Sequence, residues 1–140
     1  MPHRRIPQAK DVMTPFPHFI EVGQGVAQAR ELMLAHGVRH LPVKDGSELV
    51  GVVTERDLEV ATVAGAGREP PLRELCESEL CVVDLHARMD EVVIEMARRR
   101  VGSALVVRDG RLAGILTAGD VCRLYGELLT KLAPPEDEPA

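Results

Sequence analysis

Gly51-Val52-Val53-Thr54-Glu55-Arg56-Asp57 returns 63 residues later as Gly114-Ile115-Leu116-Thr117-Ala118-Gly119-Asp120. The same shift carries Val38-Arg39-His40-Leu41-Pro42-Val43 onto Val101-Gly102-Ser103-Ala104-Leu105-Val106, Met33 onto Met96, and Leu49 onto Leu112. No gap is needed from Lys10/Arg73 to Val60/Arg123. Only seven of these 51 pairs are identical, yet apolar positions agree almost throughout. Agreement in polarity without identity marks an internal repeat, and a repeat settles the architecture before any motif is read.

Each copy reads alike. A short extended segment, Phe19–Val22 or Val82–Leu85, comes first. A helix follows, with Val26, Ala29 and Met33 at i, i+3 and i+7 in one copy. Met89, Val92, Val93 and Met96 form the stripe in the other. Two short apolar runs come next, separated by Asp45-Gly46 or Asp109-Gly110, and an Asp-Gly pair between such runs predicts a hairpin. A second helix begins near Thr54 or Thr117, and in the second copy runs on through Leu124, Leu128 and Leu129. The unit is β-α-β-β-α and mixed α+β in class. One unit of about 60 residues buries little surface alone, so two are expected to share one core. The predicted organisation is a first unit over 8–66, a connector at 67–71 and a second unit over 72–131. The acidic, proline-rich stretch 132–140 is expected to be a disordered tail.

Composition narrows the function. With 45% hydrophobic and 28% charged residues, the chain is expected to fold rather than stay disordered. A net charge of −5 and only three aromatics, Phe16, Phe19 and Tyr125, argue against nucleic acid, which asks for basic surface or stacking platforms. The same balance argues against an anionic membrane surface, and no apolar run reaches the roughly 18–20 residues that span a bilayer. The opening Met1-Pro2-His3-Arg4-Arg5-Ile6 lacks the apolar stretch of a secretory signal. Cys76, Cys81 and Cys122 are odd in number and suit reduced thiols, hence a cytoplasmic location. His36-x3-His40 has helical metal spacing, but Gly37 is expected to end the helix between them. No nucleophile–base–orienter pattern and no P-loop is present, so the chain does not read as an enzyme.

The chemistry-bearing pattern is Gly-x-x-Thr-x-x-Asp, twice. Each threonine falls at a strand-to-helix junction and each aspartate in the first helical turn. Free N–H groups and the positive end of the helix dipole suit a phosphate there, and the carboxylate suits ribose hydroxyls. The same Thr-x-x-Asp spacing is also a capping box, which closes a helix end without any ligand.

The repeated unit, its Leu41-Pro42-Val43 strand, its Gly-x-x-Thr-x-x-Asp turn and the opening Asp11-Val12-Met13-Thr14-Pro15 resemble a tandem pair of cystathionine β-synthase-type (CBS) domains, a Bateman module. The resemblance spans about residues 8–131, leaving only short tails, so no attached catalytic domain is expected. It implies two β-α-β-β-α repeats packed through their sheets with pseudo-two-fold symmetry, leaving two clefts. It implies an adenosine-containing regulatory ligand, AMP, ADP or ATP, or alternatively S-adenosylmethionine or NAD, with no obligatory cofactor. Carried over position by position, Thr54 and Asp57 serve one cleft, and Thr117 and Asp120 the other. Ile20, Val22 and Pro42, or Val83 and Leu105, would sandwich the base. Arg39 and His40, with Arg56 as a second candidate, would hold phosphate in the first copy.

The second copy departs from that pattern. Gly102-Ser103 replace Arg39-His40, Gly119 replaces Arg56, and Cys76-Glu77-Ser78 replace Met13-Thr14-Pro15. Its cleft is expected to take a less charged ligand or none, unless Arg98, Arg99 or Arg100 reaches it. The resemblance further implies a homodimer meeting through Glu55–Val63 and Ala118–Leu129, and an effector protein that reads the change. The competing expectation is a ligand-free interaction module in which both turns are only helix caps.

Overall fold

Residues 5–64, 69–77 and 79–132 are described in the structure, a computed structural model. In chain order the elements are α1 (Ala9–Val12), β1 (Thr14–Pro15), β2 (Ile20–Glu21), α2 (Val26–His36), β3 (His40–Asp45), β4 (Glu48–Thr54) and α3 (Glu55–Ala64). Then follow α4 (Leu72–Leu75), β5 (Val82–Asp84), α5 (Met89–Arg99), β6 (Ser103–Arg108), β7 (Arg111–Thr117) and α6 (Ala118–Leu132). The connector expected at 67–71 lies partly outside the described residues, and the tail expected at 132–140 almost wholly so. Among the described residues no helix is long and apolar enough to cross a membrane.

Both apolar stripes face inward. Val26, Ala29 and Met33 are buried on α2, and Met89, Val92 and Met96 on α5. Gly37 closes α2 in the left-handed conformation at φ 63°, where glycine carries no Cβ penalty. Arg100 closes α5 at φ 56° in the same conformation, a position that costs a side-chain-bearing residue about 1–2 kcal/mol.

Two sheets form, with strand orders β2-β3-β4 and β1-β7-β6-β5. β2 runs parallel to β3, and β5 parallel to β6; each hairpin is antiparallel. The hairpins share one register. His40 faces Thr54 as Ser103 faces Thr117, and each ladder shifts at the same place, Val43/Lys44 and Val106/Val107. The second turn is Asp109-Gly110, as expected, with both residues at positive φ. The first differs. Asp45 stays paired in β3 opposite Glu48, and the turn is Gly46-Ser47 with Gly46 at φ 63°.

The segments before each unit are exchanged, which the β-α-β-β-α reading did not contain. β1 leaves the first repeat and pairs with β7 of the second, Thr14 against Ile115. The counterpart bridge joins Glu77 to Val52 on β4. The two motif glycines make room for this exchange. A Cβ on Gly51 would fall 2.8 Å from the Glu77 carbonyl oxygen, and one on Gly114 would fall 3.0 Å from that of Thr14.

Three apolar clusters result. Ile20, Leu41, Val43, Val53, Leu58 and Leu72 belong to the first. Ala9, Met89, Met96, Val106 and Leu116 belong to the second. Both include a residue from the other unit's leading segment: Leu72 packs under the first repeat, and Ala9 under the second. The third joins the repeats through their sheets, with Val52, Leu105 and Ile115 at its centre. Fully burying one such side chain stabilises by about 1.5–3 kcal/mol, so the shared interface contributes what a lone unit lacks. The fold is a pair of mixed α/β repeats packed sheet to sheet in pseudo-two-fold symmetry.

Candidate functional site

β4 runs directly into α3, and β7 into α6, so each threonine ends a strand and caps a helix. Asp57 Oδ2 accepts from the Thr54 amide at 2.9 Å, and the Asp57 amide donates to Thr54 Oγ1 at 3.1 Å. In the second turn Asp120 Oδ2 accepts from the Thr117 amide at 2.9 Å and from Thr117 Oγ1 at 3.1 Å. Both turns are therefore closed capping boxes. A box uses one carboxylate oxygen. The other oxygen separates the two sites. Asp120 Oδ1 accepts from Arg123 Nη2 at 3.1 Å, whereas among the described residues Asp57 Oδ1 has no hydrogen-bond partner.

Asp57 lies in a cleft of about 210 Å³. Its near wall is Val52, Thr54 and His40 of the first repeat. Its far wall comes from the second repeat: Arg100, Gly102, Ser103 and Leu105, with Glu77, Glu79 and Leu80 from the preceding segment. Asp120 lies in a second cleft of about 410 Å³, with Ile115 and Thr117 on one side. Gly37, Val38, Arg39, His40 and Thr14 face them from the first repeat. The 63-residue shift exchanges the two linings: Thr14 corresponds to Glu77, Gly37 to Arg100, Val38 to Val101, Arg39 to Gly102 and Ile115 to Val52. Each cleft thus joins the Thr-x-x-Asp turn of one repeat to the helix-to-strand loop of the other.

This exchange redistributes the residues singled out in the sequence. Thr54 and Asp57 meet His40 and Leu105 in the first cleft. Arg39 lines the cleft of Thr117 and Asp120 instead, and its guanidinium sits 3.5 Å from Glu55. Arg100 lines the first cleft, not the second. Arg56 is exposed in the first turn of α3, outside both linings. Ile20 is fully buried in the first core and Pro42 is likewise enclosed in β3. Val22 and Val83 pack half-buried against the first and second cores. Among the described residues none of these four lines either cleft.

His40 is the shared wall, lining both clefts. Burial pulls its pKa below the ordinary 6.5; Asp57 opposes that shift and Arg39 adds to it. Burial likewise pushes the Cys76 and Cys81 thiols up, away from the thiolate that would make them reactive. His36 stacks on His18, ring centroids 3.5 Å apart, instead of joining His40. Among the described residues no group of three or more His, Cys, Asp or Glu is placed to hold a metal ion.

Glu77 and Glu79 line the first cleft, and Arg123 reaches the second only through its contact with Asp120; none of the three is a site candidate in the sequence. Arg123 stands three residues after Asp120, on the same helix face, where a side-chain contact is expected. Glu77 shows in the sequence only as a departure from the Met13-Thr14-Pro15 pattern and Glu79 belongs to no motif; the exchanged segments put both across from Thr54.

Residues 9–61 and 72–127 each match the CBS domain family. The L-aspartate semialdehyde sulfurtransferase of Methanocaldococcus jannaschii is 27% identical over 119 residues, which are 84% of this chain; the chain spans only 23% of that protein's length. Two solved structures are close in fold. The CBS domain pair of protein MJ0100, in complex with 5′-methylthioadenosine and S-adenosyl-L-methionine, is 25% identical with a TM-score of 0.81, covering 89% of this chain and 99% of that one. CBSX2 in complex with AMP is 28% identical with a TM-score of 0.71, covering 87% and 98%. With two matched segments that together fill most of its length, the chain belongs to the CBS domain family and carries the domain as a tandem pair.

Proposed function

We propose that this chain is a regulatory ligand sensor that binds an adenosine-containing molecule in the clefts between its repeats. The observation that carries the reading is that Asp57, whose Oδ1 has no hydrogen-bond partner among the described residues, lines a cleft at the N-terminus of α3. A carboxylate with an unused oxygen accepts hydrogen bonds from a vicinal diol, the recognition element that ribose offers. The amide-rich helix end and the apolar walls of Val52, Leu80 and Leu105 suit the rest of a nucleoside. In this reading Thr54, Asp57, His40 and Leu105 serve the first cleft, and Thr117, Asp120, Arg39 and His40 the second. The solved relatives bound to AMP or to 5′-methylthioadenosine and S-adenosyl-L-methionine support the ligand class.

Sensing requires a state that the ligand favours over another. The reading places that change at the meeting of two copies through α3 and α6, where Val60, Val63, Tyr125 and Leu129 are exposed. An effector protein would read the resulting change of shape.

A thermal-shift panel with AMP, ADP, ATP, NAD and S-adenosylmethionine tests it on the unmodified chain and on Asp57→Ala and Asp120→Ala. A ligand at about 100 times its dissociation constant adds about 2.7 kcal/mol, which raises the melting point by several degrees. A shift lost in one variant assigns ligand and cleft together. No shift with any compound would leave both turns as helix caps and favour a ligand-free interaction module.

A further inference from the structure

We infer that the first cleft selects adenosine ligands whose 5′ side carries no negative charge, and that Glu77 and Glu79 impose this selection. The inference rests on the adenosine reading above and names the ligand class of that cleft.

The two clefts share one design and differ position by position. Where the second cleft offers the hydroxyl of Thr14, the first offers the carboxylate of Glu77. Where the second offers the guanidinium of Arg39, the first offers Gly102, which has no side chain. Arg100 is the one added cation, in place of Gly37. The first lining thus sets three carboxylates, Asp57, Glu77 and Glu79, against one guanidinium.

Glu77 is held in place. Its amide donates to the Val52 carbonyl at 2.9 Å and its own carbonyl accepts from the Val52 amide at 3.2 Å. Val52 lies two residues before Thr54, so the bridge fixes Glu77 beside the capped turn. Its carboxylate accepts from the Glu79 amide at 3.0 Å, which ties the two acids into one rim. A phosphate brought to the N-terminus of α3 enters the field of this rim, and like charges in a half-enclosed cleft repel more strongly than in bulk water. A thioether meets no such repulsion, and a sulfonium is attracted.

The test is calorimetric titration of 5′-methylthioadenosine and AMP into the full chain carrying Asp120→Ala, so that the first cleft reports alone. 5′-Methylthioadenosine should bind at least tenfold tighter than AMP at low salt. Adding Glu77→Gln and Glu79→Gln should tighten AMP about fivefold while leaving 5′-methylthioadenosine within twofold, which also reports an intact cleft. Raising salt from about 20 mM to about 300 mM should narrow the gap before the two replacements and not after them. Binding of both compounds with a ratio that neither the replacements nor salt move overturns this inference alone. Binding of neither overturns the adenosine reading, and this inference with it.

Discussion

Arg123 donates to Asp120 Oδ1 at 3.1 Å, and the position one repeat earlier, three residues beyond Asp57, is Val60. One side chain therefore decides whether the motif aspartate is engaged or available. Arg123→Ala should free Asp120 and tighten adenosine ligands in the second cleft by a few-fold, with Asp57→Ala present to silence the first. The stability change should stay within about 1 kcal/mol, because the guanidinium is largely exposed and such pairs contribute little. The converse, Val60→Arg, should weaken binding in the first cleft. Unchanged affinities in both variants would show that the Arg123 contact does not gate the site.

His40 gives the protein an acid-sensitive joint between its clefts. Burial favours neutral imidazole, so its folded-state pKa lies below the 6.5 of the unfolded chain. Its contribution is then fully present above pH 6.5 and is lost as pH falls below it through the lowered value. The melting temperature should drop more between pH about 7.5 and about 5.5 in the unmodified chain than in His40→Gln. Parallel pH profiles would place the acid sensitivity elsewhere.

Much of this fold is legible in the sequence because the repeat prints each element twice. The stripe of Val26, Ala29 and Met33 repeats as Met89, Val92, Val93 and Met96, and all are buried except Val93, which is half-buried. The hairpins followed from two apolar runs with turn residues between them, although Asp45 was captured by pairing with Glu48. What one copy could not show is the exchange of leading segments. Thr14-Pro15 is too short to signal a strand, and its partner Ile115 lies a hundred residues away. The candidate site divided along the same line. Thr54, Asp57, Thr117 and Asp120 are local patterns and were visible as such. Which arginine meets which aspartate depends on the exchange, so Arg39 and Arg100 fall in the clefts opposite to those a single-repeat reading gives them. Ile20 and Pro42 look like base-stacking surface in sequence, yet core packing claims both.

Gly51 is needed for space, not for backbone conformation. Its Cβ would meet Cys76 Sγ at 2.5 Å and the Glu77 carbonyl oxygen at 2.8 Å. Gly51→Ala should cost about 1–3 kcal/mol by overpacking and push Glu77 from its bridge, narrowing the gap between 5′-methylthioadenosine and AMP in the first cleft. Gly46→Ala is the control. Gly46 has open space around it but sits at φ 63°, so alanine there should cost about 1–2 kcal/mol through the backbone alone and leave binding unchanged. Chemical denaturation and calorimetric titration read the two effects separately.

Leu105 stands at the centre of the interface between the sheets, fully buried beside Val52 and Ile115, while its edge lines the first cleft. Leu105→Ala should cost about 2–5 kcal/mol, because the rigid sheets on both sides leave little room for collapse. Leu41→Ala, equally buried but inside the first repeat's own core, sets the comparison. Both variants remove the same atoms, so stability alone does not separate them. Binding does, since only Leu105 touches the cleft: its loss should weaken a nucleoside ligand as well as the fold, whereas Leu41→Ala should leave affinity unchanged under conditions where both variants are folded. Cooperativity is the second discriminator. If the sheet-to-sheet contact makes the repeats one folding unit, Leu105→Ala should still melt in a single transition at a lower temperature; two separated transitions would mean that each repeat stands without the other, and that the shared core is an accessory to two independent folds.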